Sequence, residues 1–274
     1  MDSPNVQTAK RGGYAPIDGL KMYYEIEGAG DPLIYLPPAF GCAGMKSFPA
    51  LTQSHAVITV DFQGHGRTAD IPERPLTLEQ HARDVVALLA HLGIARADFF
   101  GESYGGAIAT MIAVQRPDLV RRVATFGATF GPPEVAVDPK MLHFRLSPTP
   151  DSRAFQYLKE KYEQVAPDPA YWPNFWKKVV AIRWGGFSNV ELASIQAPVL
   201  IALGDHDFVR LEHAVEIFRR MPNAELAVIP DSGHFALVSE PERVIPVVTQ
   251  FLEKPDRKIP IATGEMGFQP GESG

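Results

Sequence analysis

One cysteine, Cys42, is all the thiol this 274-residue chain carries. No intrachain disulfide can form, and a Cys-based zinc site is excluded with it; Cys42 itself is expected to be a small buried residue. An excess of one charge is lacking too. The 26 basic and 32 acidic residues leave a net charge of −6, and no basic block stands out of the kind that grips phosphate backbones or anionic membranes. Nucleic acid and membrane surfaces are therefore not expected partners. No apolar run approaches the ~20 residues that span a bilayer. The opening Met1-Asp2-Ser3-Pro4-Asn5 lacks the basic-then-apolar order of a secretory signal, so the expected location is cytoplasmic.

What is present is an ordinary globular composition, 45% hydrophobic and 21% charged. The length suits one large α/β domain with an insertion, or two smaller domains, with a core large enough to need no covalent staple. Short apolar runs alternate with helical patterns, the order of a mostly parallel central sheet flanked by helices. Strands are expected at 21–26, 33–36, 57–60, 98–100, 123–126, 199–203 and 226–229. Thr77 and Gln80 have the spacing of a capping box, and behind them Leu78, Ala82, Val85, Leu89 and Leu92 recur every three or four residues until Gly93 stops the helix. A small-residue helix is expected at 105–115. A closing helix is expected at 242–252, kinked or split by Pro246.

The stretch 131–190 breaks this rhythm. It has no clear strand, is dense in aromatic residues and holds all three tryptophans, Trp172, Trp176 and Trp184. It reads as a helical cap inserted between two core strands. The expected layout is thus a core over 1–130 and 191–254, a cap over 131–190, and a loosely attached Gly/Pro-rich tail over 255–274. The three tryptophans are candidates for lining a substrate pocket, and their density points to a bulky apolar substrate, since pockets are mostly apolar with few polar groups.

Gly101-Glu102-Ser103-Tyr104-Gly105 fits G-x-S-x-G and lies between a strand and a helix, the context that motif requires. A sharp turn there pushes the serine hydroxyl out over the sheet edge, and the glycines keep strand and helix from colliding. The helix start aims amide hydrogens at the site. A serine hydroxyl needs a base. Among eight histidines, His234 follows the last strand in the loop Pro230–His234, from which it can reach across the strand ends. His65 belongs to the turn Gly64-His65-Gly66; His81 and His91 are placed on the outer face of their helix; His55 is placed in a loop, His143 in the cap and His213 on a surface helix. The orienting carboxylate must follow a core strand. Leu203-Gly204-Asp205-His206-Asp207 offers two, with Asp207 preferred because Asp205 is placed to cap the turn; His206 between them should face solvent.

With Ser103, Asp207 and His234 in that chain order, the sequence resembles the α/β-hydrolase superfamily, whose order is nucleophile, acid, histidine. The resemblance runs from about Gly19 to Leu252 and includes the turn Asp61-Phe62-Gln63-Gly64-His65-Gly66-Arg67. It implies the α/β-hydrolase fold and an oxyanion hole made by the Tyr104 amide and one from the loop after the second expected strand. There members commonly carry His-Gly, whereas this chain has Pro37-Pro38. Proline has no N–H to donate, so the second donor is expected to be Ala39, with Phe40 the second choice. The implied chemistry is hydrolysis of a carboxylic ester or lactone, even a macrocyclic one, through an acyl-enzyme, with no cofactor and no metal. The same three residues also serve carbon–carbon hydrolases and cofactor-free perhydrolases or haloperoxidases. Relatives with a carboxylate nucleophile are set aside because position 103 is a hydroxyl. A non-catalytic small-molecule receptor on this scaffold is the reading of another class.

Overall fold

The computed structural model describes residues 10–146 and 152–255. Eight strands form one sheet: β1 (Arg11–Ile17), β2 (Leu20–Glu27), β3 (Asp31–Leu36), β4 (His55–Val60), β5 (Ala97–Glu102), β6 (Val120–Phe126), β7 (Val199–Gly204) and β8 (Ala224–Ile229). Their order is β1-β2-β4-β3-β5-β6-β7-β8. β1 and β2 are antiparallel, as are β2 and β4, and every pair from β4–β3 to β7–β8 is parallel. The winding reverses between β3 and β5, so their carboxyl ends open side by side, with Leu36 opposite Gly101. Such a switch point is where open α/β sheets place their ligands.

The period of two along the strands divides the core. Ile34, Leu36, Ile58, Val60 and Phe99 face one side, where helices α1 (Leu78–His91) and α2 (Tyr104–Gln115) cover them. Leu33, Tyr35, Val57 and Phe100 face the other, covered by the C-terminal helix. Between β6 and β7 the described chain carries α3 (Pro133–Ala136), α4 (Pro139–Leu146), α5 (Arg153–Glu163), α6 (Trp172–Val180) and α7 (Asn189–Ser194). Tyr162, Trp172, Phe175 and Val179 make a separate apolar cluster there, joined by Leu76 from the core side. The chain closes with α8 (Leu211–Arg220), α9 (Ala236–Ser239) and α10 (Pro241–Leu252).

Several expectations need correction. Arg11–Ile17 is a strand that the sequence does not announce, since Gly12, Gly13 and Pro16 disfavour strands; at a sheet edge they are tolerated. Only half of the capping box forms. The Thr77 side chain accepts the Gln80 amide at 3.1 Å, but the Gln80 side chain donates to Asp84 at 2.9 Å. Helix α10 runs unbroken through Pro246, where the missing N–H costs a single helical bond. His55 opens β4, and His81 and His213, expected at the surface, are buried. No helix among the described residues is long and apolar enough to cross a membrane. The tail from residue 256, and the side chain of His143, lie outside the described residues.

Candidate active site

Ser103 sits where β5 turns into α2, with φ 51° and ψ −114°. A positive φ on a residue with a Cβ costs roughly 1–3 kcal/mol, and the surrounding contacts hold it. The Ser103 amide donates to the Phe126 carbonyl at 2.8 Å. A Cβ on Gly101 would lie 2.4 Å from the Gly105 carbonyl oxygen, and one on Gly105 would lie 2.0 Å from that of Leu36. The flanking glycines therefore let strand, helix and neighbouring strand end pack against one turn. Behind it Glu102 is buried and accepts from the Tyr35 hydroxyl at 2.6 Å and from Lys46. Burial and the Glu102 carboxylate both push the Tyr35 hydroxyl far above its ordinary range.

His234 and Asp207 arrive from the ends of β8 and β7. A Cβ on Gly204 would lie 1.9 Å from the Ser232 carbonyl oxygen, so this glycine permits the two loops to meet. Asp205 accepts the Ser232 amide at 3.1 Å and the His206 amide donates to the Ser232 carbonyl at 2.9 Å. The histidine-bearing loop is thereby fastened to the aspartate-bearing one. His206 itself is 72% exposed. The structure brings Asp207, not Asp205, to the imidazole: His234 Nδ1 is 2.8 Å from Asp207 Oδ1. His234 Nε2 lies 3.1 Å from Ser103 Oγ. The Asp207 side chain is fully buried and accepts the Val209 amide at 2.9 Å as well, while the Phe208 ring lies over the imidazole at 3.7 Å between centroids.

The loop after β3 stands beside this group. The Gly41 amide donates to the Pro38 carbonyl at 2.8 Å, so Ala39 and Phe40 form the centre of a tight turn. The Tyr104 backbone opens α2; its hydroxyl meets His81 Nδ1 at 2.8 Å, and burial pushes that hydroxyl up and the His81 ring well down from their ordinary values. The tryptophans divide in their placement. Trp176 stacks on Phe40 at 4.8 Å. Trp172 is 2% exposed and packs against Phe155, Tyr162 and Phe175. Trp184 lies against Phe187 at 4.8 Å. A groove of about 530 Å³ reaches the imidazole edge from outside, between Met141, Phe208 and Phe235.

One site residue carries no motif. Gly127, with φ 61°, follows β6, and a Cβ there would lie 2.9 Å from His234 Nδ1 and 3.0 Å from Asp207 Oδ2. Its only signal is a glycine directly after a core strand, which many turns share.

Comparison with known proteins finds the same fold. The Dihydrolipoyllysine-residue acetyltransferase component of the acetoin cleaving system of Pseudomonas putida is 28% identical, covering 92% of this chain and 70% of its own. Est816, an N-acyl homoserine lactone degrading enzyme, is 28% identical with a TM-score of 0.68, over 85% of this chain and 98% of its own. The 2-hydroxy-6-oxo-6-phenylhexa-2,4-dienoate hydrolase of Rhodococcus sp. strain RHA1 shares the fold at a TM-score of 0.74 and 18% identity, over 90% of this chain and 99% of its own. The model of the alpha/beta hydrolase family matches residues 28–247. With that match over most of its length, on an eight-stranded sheet whose switch point carries a strained serine turn, the chain belongs to the alpha/beta hydrolase family.

Proposed function

We propose that the protein is a serine hydrolase that cleaves a carboxylic ester or lactone through an acyl-enzyme, with Ser103 as nucleophile, His234 as general base and Asp207 as its orienting acid. The observation that carries this reading is the continuous contact from Ser103 Oγ through the imidazole to Asp207, at 3.1 and 2.8 Å. His234 Nε2 takes the hydroxyl proton as Ser103 attacks the substrate carbonyl, then returns it to the leaving alkoxide. Water repeats the sequence on the acyl-enzyme. Asp207, acceptor to Nδ1–H, fixes the tautomer that leaves Nε2 free to act as base and stabilises the imidazolium that forms. The tetrahedral oxyanion is held by the Tyr104 amide, reinforced by the positive end of α2, and by an amide of the Ala39–Phe40 turn.

The helices over 131–190 act as the cap of this reading. Phe40 and the Trp176 ring stacked on it offer an apolar wall beside the turn, suited to a bulky acyl group or lactone ring. Trp172 packs on Phe155, Tyr162 and Phe175 and also lies 6.1 Å from Phe40 between ring centroids. The lactone half of the proposal draws on Est816, named for degrading N-acyl homoserine lactones. The test is a panel of short-chain, long-chain and lactone esters assayed beside Ser103→Ala. Removing the nucleophile should lower kcat by several orders of magnitude, and a fluorophosphonate probe should label the parent protein and not the variant. Undiminished turnover in the variant would overturn the proposal; an unlabelled, inactive parent would favour a binding role for the scaffold.

A further inference from the structure

The turn that follows β3 has a central peptide with two ends, and the structure shows what holds one of them. In a turn closed from Pro38 to Gly41, the central peptide uses neither its carbonyl nor its amide in the turn bond. That peptide joins Ala39 to Phe40 and is trans, so the Ala39 C=O and the Phe40 N–H point in opposite directions. The carbonyl end is occupied: His65 Nε2 lies 2.6 Å from it. Among the described residues neither the Ala39 nor the Phe40 amide donates a hydrogen bond. The chain leading into the turn packs on the start of α2, because a Cβ on Gly105 would meet the carbonyl oxygens of Leu36 at 2.0 Å and Pro37 at 2.7 Å.

His65 is itself rigidly placed. It is 1% exposed, and its ring meets Phe62, His81 and Phe175 edge to face. Its loop is tied by Asp61, whose carboxylate accepts the Ala43 and Arg67 amides. Gly66, at φ 52°, leaves space for that carboxylate; a Cβ would sit 2.2 Å from it. The second ring nitrogen, Nδ1, is 2.9 Å from the Gln63 carbonyl. Burial lowers the proton affinity of this ring, and a neutral imidazole has one N–H for two carbonyls. The contact to Ala39 is the shorter of the two, at 2.6 against 2.9 Å.

Resting on the serine-hydrolase reading, we propose that His65 is a positioning residue of the oxyanion hole: its Nε2–H fixes the Ala39 carbonyl and thereby aims the Phe40 amide at the substrate oxygen. Phe40, rather than Ala39, then supplies the second donor. Without that hydrogen bond the half-buried Ala39 carbonyl loses its protein partner, and the peptide is no longer held in one orientation. The alternative turn with this peptide reversed needs a positive φ at Phe40, which it does not have.

The test compares His65→Gln and His65→Ala with the parent on an ester whose turnover Ser103→Ala abolishes. A glutamine amide reaches the Nε2 position and can donate there; alanine cannot. Losing one oxyanion donor costs roughly 10²–10³-fold, so His65→Ala should lower kcat about 10²-fold with KM within about threefold. His65→Gln should recover to within about tenfold of the parent. A ¹H–¹⁵N spectrum of the parent histidines at pH 7 should show Nε2 of His65 protonated, and this readout does not depend on either variant folding. The inference is overturned by an alanine variant with parental kcat, by a glutamine variant as slow as alanine while both melt like the parent, or by a His65 proton on Nδ1 alone. Absence of any Ser103-dependent turnover in the parent would sink the hydrolase reading instead, and the tautomer would still be readable.

Discussion

Gly127 illustrates how little of a site need be chemical. It bears no reacting group, yet the hydrogen-bonded His234 and Asp207 occupy the space where its side chain would be. Gly127→Ala is therefore expected to push the imidazole off Ser103. A misplacement near 1 Å can cost 10²-fold, so kcat should fall ~10–10²-fold with KM little changed; the strained φ adds roughly 1 kcal/mol of lost stability. Steady-state kinetics and thermal melting check both, and parental kcat in a folded variant would refute the steric account. Ser103 and His234 are legible in the chain because each occupies a local pattern, the glycine-flanked serine and the Gly-His after a last strand. Asp207 is legible from its order and from Asp205 being the better turn cap. Gly127 is not, because its partners lie 80 and 107 residues further along and only the folded sheet brings them there.

At the scale of the element, the buried histidines are instructive. His81 follows Leu78 by three residues and precedes Ala82, Val85 and Leu88 on the same helical face, so spacing alone places it inside; its polarity argues for the surface, and spacing prevails. His213 does the same on α8 beside Ala214 and Ile217. Its Nε2 accepts the Phe130 amide at 3.2 Å, which joins α8 to the chain leaving β6. Burial lowers the His213 ring to about 4, with Arg220 and Arg210 also lowering it and Glu216 opposing. In the unfolded chain the ring takes a proton as pH falls below about 6.5, whereas the folded protein resists until about 4. The unfolded state thus binds more protons across that window, and stability falls as pH drops from 6.5 to 4 while staying level above it. The ceiling of this contribution is about 3 kcal/mol. Urea unfolding at pH 7 and pH 4.5 should show a larger loss for the parent than for His213→Gln, which cannot titrate. Equal losses would show that this ring has no part in the acid sensitivity. The strand Arg11–Ile17 is the opposite case, an element formed because β2 offers a partner edge and not because its residues favour it.

Across the whole molecule, the question is what keeps the helices of 131–190 over the sheet edge. The sequence marks this stretch by its aromatics and its lack of strands, but not its fastening, which joins α6 to the loop before α1. Lys178 Nζ lies 2.9 and 2.6 Å from the two Asp70 oxygens and 3.0 and 2.8 Å from the carbonyl oxygens of Ile71 and Arg74, which share its three N–H. Tyr171 donates to Asp70 at 2.6 Å, and the Gln63 side-chain amide donates to Asp70 at 2.7 Å. The Asp70 side chain is 3% exposed and that of Lys178 19%. Removing one partner of such a pair leaves a carboxylate uncompensated in a dry place, at a cost of about 3–5 kcal/mol. Lys178→Met keeps the length and apolar stem of the side chain and deletes the charge, so its effect should fall on the attachment of α6 more than on the sheet. Local opening of the helical segment should become easier by a large part of that energy. Limited proteolysis within 131–190 should then run ~10²-fold faster than in the parent under conditions where the sheet stays folded. Since Ser103, His234 and Asp207 are carried by the strand ends and not by α6, kcat on an acetyl-sized ester should stay within about threefold, while KM for a bulky ester should rise several-fold as its apolar wall loosens. If small and bulky esters lost kcat equally, or the segment resisted protease as the parent does, Lys178 would not be what fastens the helices to the sheet.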